Sequence, residues 1–258
     1  MRKLLLLSIL TLSLFTLSYA QEEDKKPAFV FAAGNLKFVF PQMIKEFYAL
    51  HQEARVYIQY GSSGNLAATI LEGKNYHIFF SADTKYPQKI YDAGKSASKP
   101  KLYARGTLIL FIPKIPDLGE RKIHILNSQD INNITIANTS SSPYGVAALE
   151  TLTNAKCCKK VMHKIRYSSD VATAIDNVIW NGDAGFLSKS ALHMIPDHRK
   201  TQGVDWIEID ENLYNPIIQA YVVSKDGLKN ENSVKFLDFI ESEAGQKIFL
   251  ENGYKKIH

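Results

Sequence analysis

Three small, polar turns hold the residues best suited to chemistry in this chain: Ala33-Gly34-Asn35, Gly61-Ser62-Ser63-Gly64 and Ser140-Ser141-Ser142-Pro143-Tyr144-Gly145. Each follows a strand-like apolar run and precedes a helical pattern. A helix N-terminus presents backbone N–H groups that lack intrahelical acceptors, and its dipole favours negative charge. Several such ends brought together make a cradle for an oxyanion, with no lysine or arginine needed to neutralise it.

Ser63 is the leading hydroxyl donor, because ahead of a helix its side chain and its backbone N–H can address one oxygen. Ser62 either joins it or caps the helix. Asn35 offers an amide and a backbone N–H, and ordinary N-capping accounts for it as well. Tyr144 would contribute its backbone N–H, with the ring as a wall. Val171 sits in the first turn of another helix, where its N–H is free, and Ser188 completes the set at a strand tip. A single serine is more often a cap than a ligand; joint placement carries the hypothesis.

An enzyme needs a different constellation. The sequence has no Gly-x-Ser-x-Gly elbow, P-loop, paired-histidine metal motif or Cys-His nucleophile pair. Ser62 or Ser63 as a nucleophile would require a general base, and none follows from spacing. His77, His124, His163, His193 and His198 are scattered, and Asp83 reads as a cap or brace for the helix after it. No catalytic residue, metal ligand or cofactor is therefore assigned. Cys157 and Cys158 are adjacent and cannot staple distant segments. They read as two thiols on the exposed end of a helix, with a vicinal disulfide as the alternative; metal binding would need partners beyond His163.

The elements that position these turns alternate from the start. Phe29–Ala32 is a strand, followed by a helix through about Leu50 that Asn35 could cap. Val56–Tyr60 leads through the serine turn to a helix carrying Leu66, Ile70 and Leu71, ended near Gly73. His77–Phe80 precedes Ser81-Ala82-Asp83 and a helix around Lys85–Tyr91. Leu108–Ile112 reads as a buried strand stopped by Pro113. Ile134–Ala137 leads to a helix from about Gly145 to Thr153, and Ser169-Asp170 could cap the next, through Ala174, Ile175 and Val178. Asp183–Ser188 ends in a strand tip; Ile217–Val223 is a late strand before helices around Val234–Phe239 and through Ile248. Repeated strand–turn–helix units imply an α/β fold with a parallel-rich sheet covered by helices. Two lobes joined by crossings near 104–108 and 219–223 suit this order, a single sheet with an excursion being the alternative.

Residues 1–20 read as a signal peptide: Arg2 and Lys3, an apolar stretch from Leu4 to about Phe15, then Ser18-Tyr19-Ala20 at the cleavage spacing. The apolar core is short for a membrane span, and no cysteine follows to carry a lipid, so export to the periplasm with cleavage near Ala20 is expected. Without that segment the net charge falls from +5 to +3, with 29 basic residues facing 26 acidic ones. So small a surplus excludes a nucleic-acid footprint, and Lys247, Lys255 and Lys256 read as a solvated face.

Taken in chain order, these segments resemble the periplasmic molybdate-binding proteins of ABC importers, within the two-lobed type II periplasmic-binding-protein fold. The likeness rests on Phe31-Ala32-Ala33-Gly34-Asn35-Leu36, Gly61-Ser62-Ser63-Gly64-Asn65-Leu66-Ala67, Phe79-Phe80-Ser81-Ala82-Asp83 and Pro143-Tyr144-Gly145 with Ala148 and Leu152. It continues through Gly185-Phe186-Leu187 to Ala244-Gly245-Gln246-Lys247-Ile248-Phe249, and so covers essentially the whole mature chain. The resemblance implies a signal peptide at 1–20, a first lobe over 21–105 completed by 219–258, and a second lobe over 106–218, with a ligand cleft between them. It implies molybdate or tungstate held by neutral donors from Asn35, Ser62, Ser63, Tyr144, Val171 and Ser188. Asn35 stands where a serine is common in that family, and Ser188 where a tyrosine often reaches the anion. A monomer that delivers its ligand to a membrane permease is expected. Binding proteins for sulfate, another oxyanion or ferric ion share the fold and are the alternative.

Overall fold

The computed structural model describes residues 26–113 and 115–257; the signal-peptide reading lies outside them. Counting helices of eight residues or more, the first lobe is built from β1 (Ala28–Ala33), α1 (Phe40–Leu50), β2 (Val56–Gly61), α2 (Ser63–Leu71), β3 (Ile78–Ser81), α3 (Lys85–Asp92) and β4 (Lys101–Gly106). Thr107 then leads into β5 (Leu108–Phe111), β6 (Ile134–Ala137), α4 (Pro143–Asn154), β7 (Ile165–Ser168), α5 (Val171–Asn181), β8 (Ala184–Ser188) and β9 (Trp206–Glu208). The chain returns through β10 (Ile217–Val223) and ends in α6 (Glu231–Glu241) and α7 (Glu243–Glu251).

Two five-stranded sheets result, ordered β2-β1-β3-β10-β4 and β7-β6-β8-β5-β9. The two orders are one pattern used twice. In each, a central strand (β1 or β6) pairs in parallel with two neighbours, and a strand that crosses between lobes (β10 or β5) enters antiparallel. Helices cover both faces, so central strands need no polar side; β3, β5 and β6 are buried at every residue.

The first lobe closes around aromatic rings. Phe236 of α6 lies edge-on to Phe40 and Phe47 of α1, at centroid distances of 5.8 and 5.2 Å, an arrangement worth about 0.5–1.5 kcal/mol per pair beyond burial. The second lobe packs aliphatic side chains of β5 and β6 against α4. Both cores reach the interface: Phe38 is buried with Ala172, Ile175 and Leu187 of the second lobe, and Ala33 and Ala82 with Tyr144 and Val171.

The segment after β1 departs from the expected capped helix. Gly34–Phe38 forms a 3-10 turn, and α1 begins only at Phe40, with Val39 rather than Asn35 at its cap and no side-chain cap bond. Pro41 explains the late start, since its ring is tolerated in a helix's first turn and not further in. Asp170, by contrast, caps α5 as expected: its carboxylate accepts from the Ala172 and Thr173 N–H groups, and Thr173 answers in a capping box.

Candidate functional site

The six candidate residues lie on elements that end at the interface between the lobes. Asn35 is in the turn after β1, and Ser62 and Ser63 are the N-cap and first residue of α2 after β2. Tyr144 and Val171 stand in the first turns of α4 and α5, after β6 and β7, and Ser188 is the last residue of β8. All six are buried. Ligands of open α/β sheets bind outside the carboxyl ends of the strands, and these positions are such ends.

Four hydrogen bonds join the lobes around them. The Gly64 N–H donates to Ser141 O at 2.8 Å and the Tyr86 hydroxyl to Ser140 O at 3.1 Å. Ser190 Oγ donates to Asn35 O at 3.2 Å, and Gln219 Nε2 to the Tyr144 hydroxyl at 3.2 Å. The lobes are thus closed on one another. Ser188 reaches Asn35 through Ser190, whose hydroxyl is 3.0 Å from its own, and Tyr144 reaches Asn35 through Gln219. Ser62 and Ser63 adjoin the Ser140–Ser142 turn through Gly64. Val171 shares the buried cluster of Ala33, Ala82 and Tyr144.

Donor capacity at this interface is partly unused. Ser63 Oγ accepts from the Ala82 N–H at 3.0 Å, which leaves its own O–H free to donate. The Tyr144 and Val171 N–H groups precede the first intrahelical bonds of α4 and α5, those from Val146 to Ser142 and from Ala174 to Asp170. Of five buried side-chain polar atoms without a partner among the described residues, three lie here: Asn35 Oδ1, Ser62 Oγ and Thr107 Oγ1, Thr107 standing in the crossing beside Ser188. A buried polar atom without a partner costs about 1–3 kcal/mol; Ser62 Oγ and Thr107 Oγ1 have hydroxyl donors to spare at this interface, and Asn35 Oδ1 an acceptor.

No candidate side chain carries a formal charge. Burial pushes the Tyr103 and Tyr144 phenols well above their ordinary range, and the Tyr254 phenol likewise, so all three stay neutral. Asp83 braces α3 as expected, accepting from the Tyr86 N–H and Ser81 Oγ; burial nevertheless leaves its carboxyl above the usual range. The arrangement offers an oxyanion neutral donors at a buried interface.

Sequence reasoning missed a second tier. Gln219 accepts at Oε1 from Asn35 Nδ2 (3.0 Å) and the Tyr103 hydroxyl (2.6 Å), and Asn35 Nδ2 also donates to the Tyr254 hydroxyl at 2.8 Å. The signal for Gln219 was a lone amide inside the apolar strand Ile217–Val223, which a buried strand holds only where the amide is satisfied. Tyr254 gave no such signal, since tyrosines near a chain end are common on surfaces.

A cavity of about 880 Å³ bordered by Gly119, His124, Glu208, Glu211 and Lys255 lies away from all six residues. Lys255 on its wall is already paired with Glu208 and Glu211, so size does not make it the anion site. The thiols near it correct one expectation. Cys157 is buried, with Sγ 3.4 Å from His124 Nδ1, and only Cys158 is partly exposed; both are free. The chain folds the first thiol inward at the start of the short helix Cys158–Val161, and burial pushes it up. Among the described residues no three His, Cys, Asp or Glu side chains group as a metal cluster.

Known proteins share this plan. The chain matches the family of bacterial extracellular solute-binding proteins over residues 28–255. It is 27% identical over 220 residues to the molybdate-binding protein ModA of Rhodobacter capsulatus, covering 83% of this chain and 84% of that one. ModA of Azotobacter vinelandii is 25% identical over 202 residues, covering 78% and 79%. The solved periplasmic molybdate-binding protein of Azotobacter vinelandii superposes with a TM-score of 0.80 at 27% identity, over 90% of this chain and 100% of that one. The repeated sheet order and a match that spans both lobes agree: this chain belongs to the bacterial extracellular solute-binding proteins.

Proposed function

We propose that the protein captures molybdate or tungstate in the periplasm, after cleavage near Ala20, and delivers it as a monomer to the membrane permease of an ABC importer. Asn35, Ser62, Ser63, Tyr144, Val171 and Ser188 form the ligand set in this reading. The observation that carries it is the unsatisfied, uncharged polarity of the closed interface: Ser62 Oγ and Thr107 Oγ1 without partners, the Ser63 O–H free, and two helix N-termini open beside them. A dianion without a countercharge is stable there only if many oriented donors replace its water. The molybdate-binding relatives support the same choice of ligand. In the transport cycle, residues 21–105 with 219–258 and residues 106–218 act as the two bodies that close on the anion, and the closed form is the one a permease reads.

Calorimetric titration of the mature, ligand-stripped protein with molybdate, tungstate, sulfate and phosphate tests this reading. Tight one-to-one binding of molybdate or tungstate, with sulfate and phosphate silent, is the expected result. Heat from sulfate alone would transfer the site to the smaller anion, and silence from all four would remove the oxyanion reading.

A further inference from the structure

The closed interface contains two carboxamides whose orientations depend on each other. Both N–H bonds of Asn35 Nδ2 are engaged, one by Gln219 Oε1 at 3.0 Å and one by the Tyr254 hydroxyl at 2.8 Å, while Asn35 Oδ1 is buried with no partner. In this arrangement the only side-chain group Asn35 has to spare is an acceptor, not a donor. A carbonyl oxygen facing a dianion repels it, so the amide must turn over for Asn35 to serve as a ligand.

Asn35 cannot turn alone. Its Oδ1 would then face Gln219 Oε1, acceptor against acceptor. If Gln219 turns as well, its Nε2 donates to Asn35 Oδ1, and donor and acceptor exchange along the network at the cost of one bond. The Tyr103 hydroxyl then accepts from Gln219 and keeps its bond to Ser81 O, now 3.1 Å, and the Tyr144 hydroxyl donates to Gln219 Oε1. The Tyr254 hydroxyl moves its single proton from Asn35 O to Asn35 Oδ1, and Asn35 O keeps the bond from Ser190 Oγ. Each of these phenols can do either, because a neutral hydroxyl both donates and accepts. The reversed network also moves an Asn35 N–H to the place of the orphaned oxygen.

Gln219 is built for this position. Its side chain is fully buried, and it stands at an irregularity in the pairing of β10 with β4, where a strand re-aims a side chain. An added Cβ on Gly106 would lie 2.6 Å from Gln219 Nε2 and 2.3 Å from the Tyr144 hydroxyl, so a glycine keeps the space open.

We propose that Gln219 is a positioning residue that turns the Asn35 carboxamide N–H toward the bound anion, the two amides reversing together as the anion enters. This inference rests on the oxyanion reading above and adds a residue that touches the second lobe, through Tyr144, and not the ligand.

A double-mutant cycle tests it, with molybdate affinity measured for wild type, Gln219→Met, Asn35→Ala and the double variant, and unliganded melting recorded for each. Gln219→Met is expected to weaken binding about 10-fold or more in the wild-type background and less than about 2-fold in the Asn35→Ala background. Gln219→Glu supplies a second readout. The carboxylate it introduces can only accept when ionised, which holds Asn35 in the repelling orientation; protonated, it can donate. The affinity of this variant should therefore rise as pH falls from about 8 to 6, over a window in which wild type stays flat, burial having raised the new carboxyl. Equal losses from Gln219→Met in both backgrounds, or a Gln219→Glu variant whose affinity does not move with pH, would overturn the inference while wild-type binding left the oxyanion reading standing. Wild type that binds none of the four anions would end both.

Discussion

Ser63 has one hydroxyl for two roles: its oxygen takes the Ala82 N–H at 3.0 Å, and its proton is left to donate, in the proposed site to the anion. Ser63→Ala should lower molybdate affinity roughly 10–150-fold, the range for a hydrogen bond to a charged group worth about 1.5–3 kcal/mol. The same change strands a buried N–H, so the unliganded protein should also lose about 1–3 kcal/mol of stability in a urea titration. Affinity that stays within 2-fold of wild type would take Ser63 out of the ligand set. Ser63 was legible because its neighbours announce a strand, a turn and a helix. Asn35 was only half legible. Its place in the turn can be read from Ala33-Gly34-Asn35, but the partners that set its amide come from residues 184 and 219 positions away along the chain. Local pattern holds no trace of such pairings.

At the scale of elements, the N-terminus of α2 docks on the turn before α4, and Gly64 is the contact. Its N–H bonds to Ser141 O at 2.8 Å, and an added Cβ would sit 2.8 Å from Ser141 Cα and 2.6 Å from the Tyr86 hydroxyl. Backbone cannot yield as a flexible side chain can. Gly64→Ala should therefore hold the lobes apart, with affinity down about 10-fold or more and no ligand-induced fall in radius of gyration by small-angle scattering. Unliganded melting should match wild type or exceed it, since alanine is the better helix former inside α2. A variant that compacts on molybdate as wild type does would refute this account of closure. Elements such as α2 and β10 were readable because apolar runs and caps mark them; β10 was read with its observed bounds, Ile217–Val223. Strands β4, β7 and β9 were not read. Lys101–Gly106 and Ile165–Ser168 are edge strands that mix charged, aromatic and small residues without a clean apolar period, and Trp206–Glu208 has three residues, too few for a period to show.

Across the whole molecule, charges that looked like a solvated tail connect the lobes. Lys255, beyond α7 on the first lobe, pairs with Glu208 of β9 at 2.6 Å and with Glu211 at 2.8 Å; Lys189 also pairs with Glu208, at 2.8 Å, and Arg105 with Glu211 at 3.5 Å. Within the first lobe, Lys255 and Arg105 exchange backbone N–H···O bonds of 3.0 and 2.8 Å, which fix the two side chains where they reach the glutamates of the second lobe. Partial burial pushes the Glu208 carboxyl up, but the hydrogen bonds and charges of Lys189 and Lys255 outweigh it and leave the group below its ordinary range. Partial burial likewise works against the Lys255 charge, and its two glutamates leave it raised. The signs set a window. A lowered carboxyl contributes stability above its unfolded value and loses it as pH falls through the folded one; a raised lysine contributes below its unfolded value and loses it as pH rises through the folded one. Melting of the unliganded protein should therefore be insensitive to this cluster between about pH 5 and 9, and Glu208→Gln should flatten part of the acid limb below about pH 4. An acid limb identical in wild type and Glu208→Gln would detach the cluster from stability. Because the cluster ties lobe to lobe and includes none of the proposed ligand residues, Lys255→Met should cost about 2–5-fold in affinity, and equally for molybdate and tungstate. A loss confined to one anion would mean that these charges shape the ligand site itself, whereas a uniform loss marks them as setting how readily the two lobes stay closed.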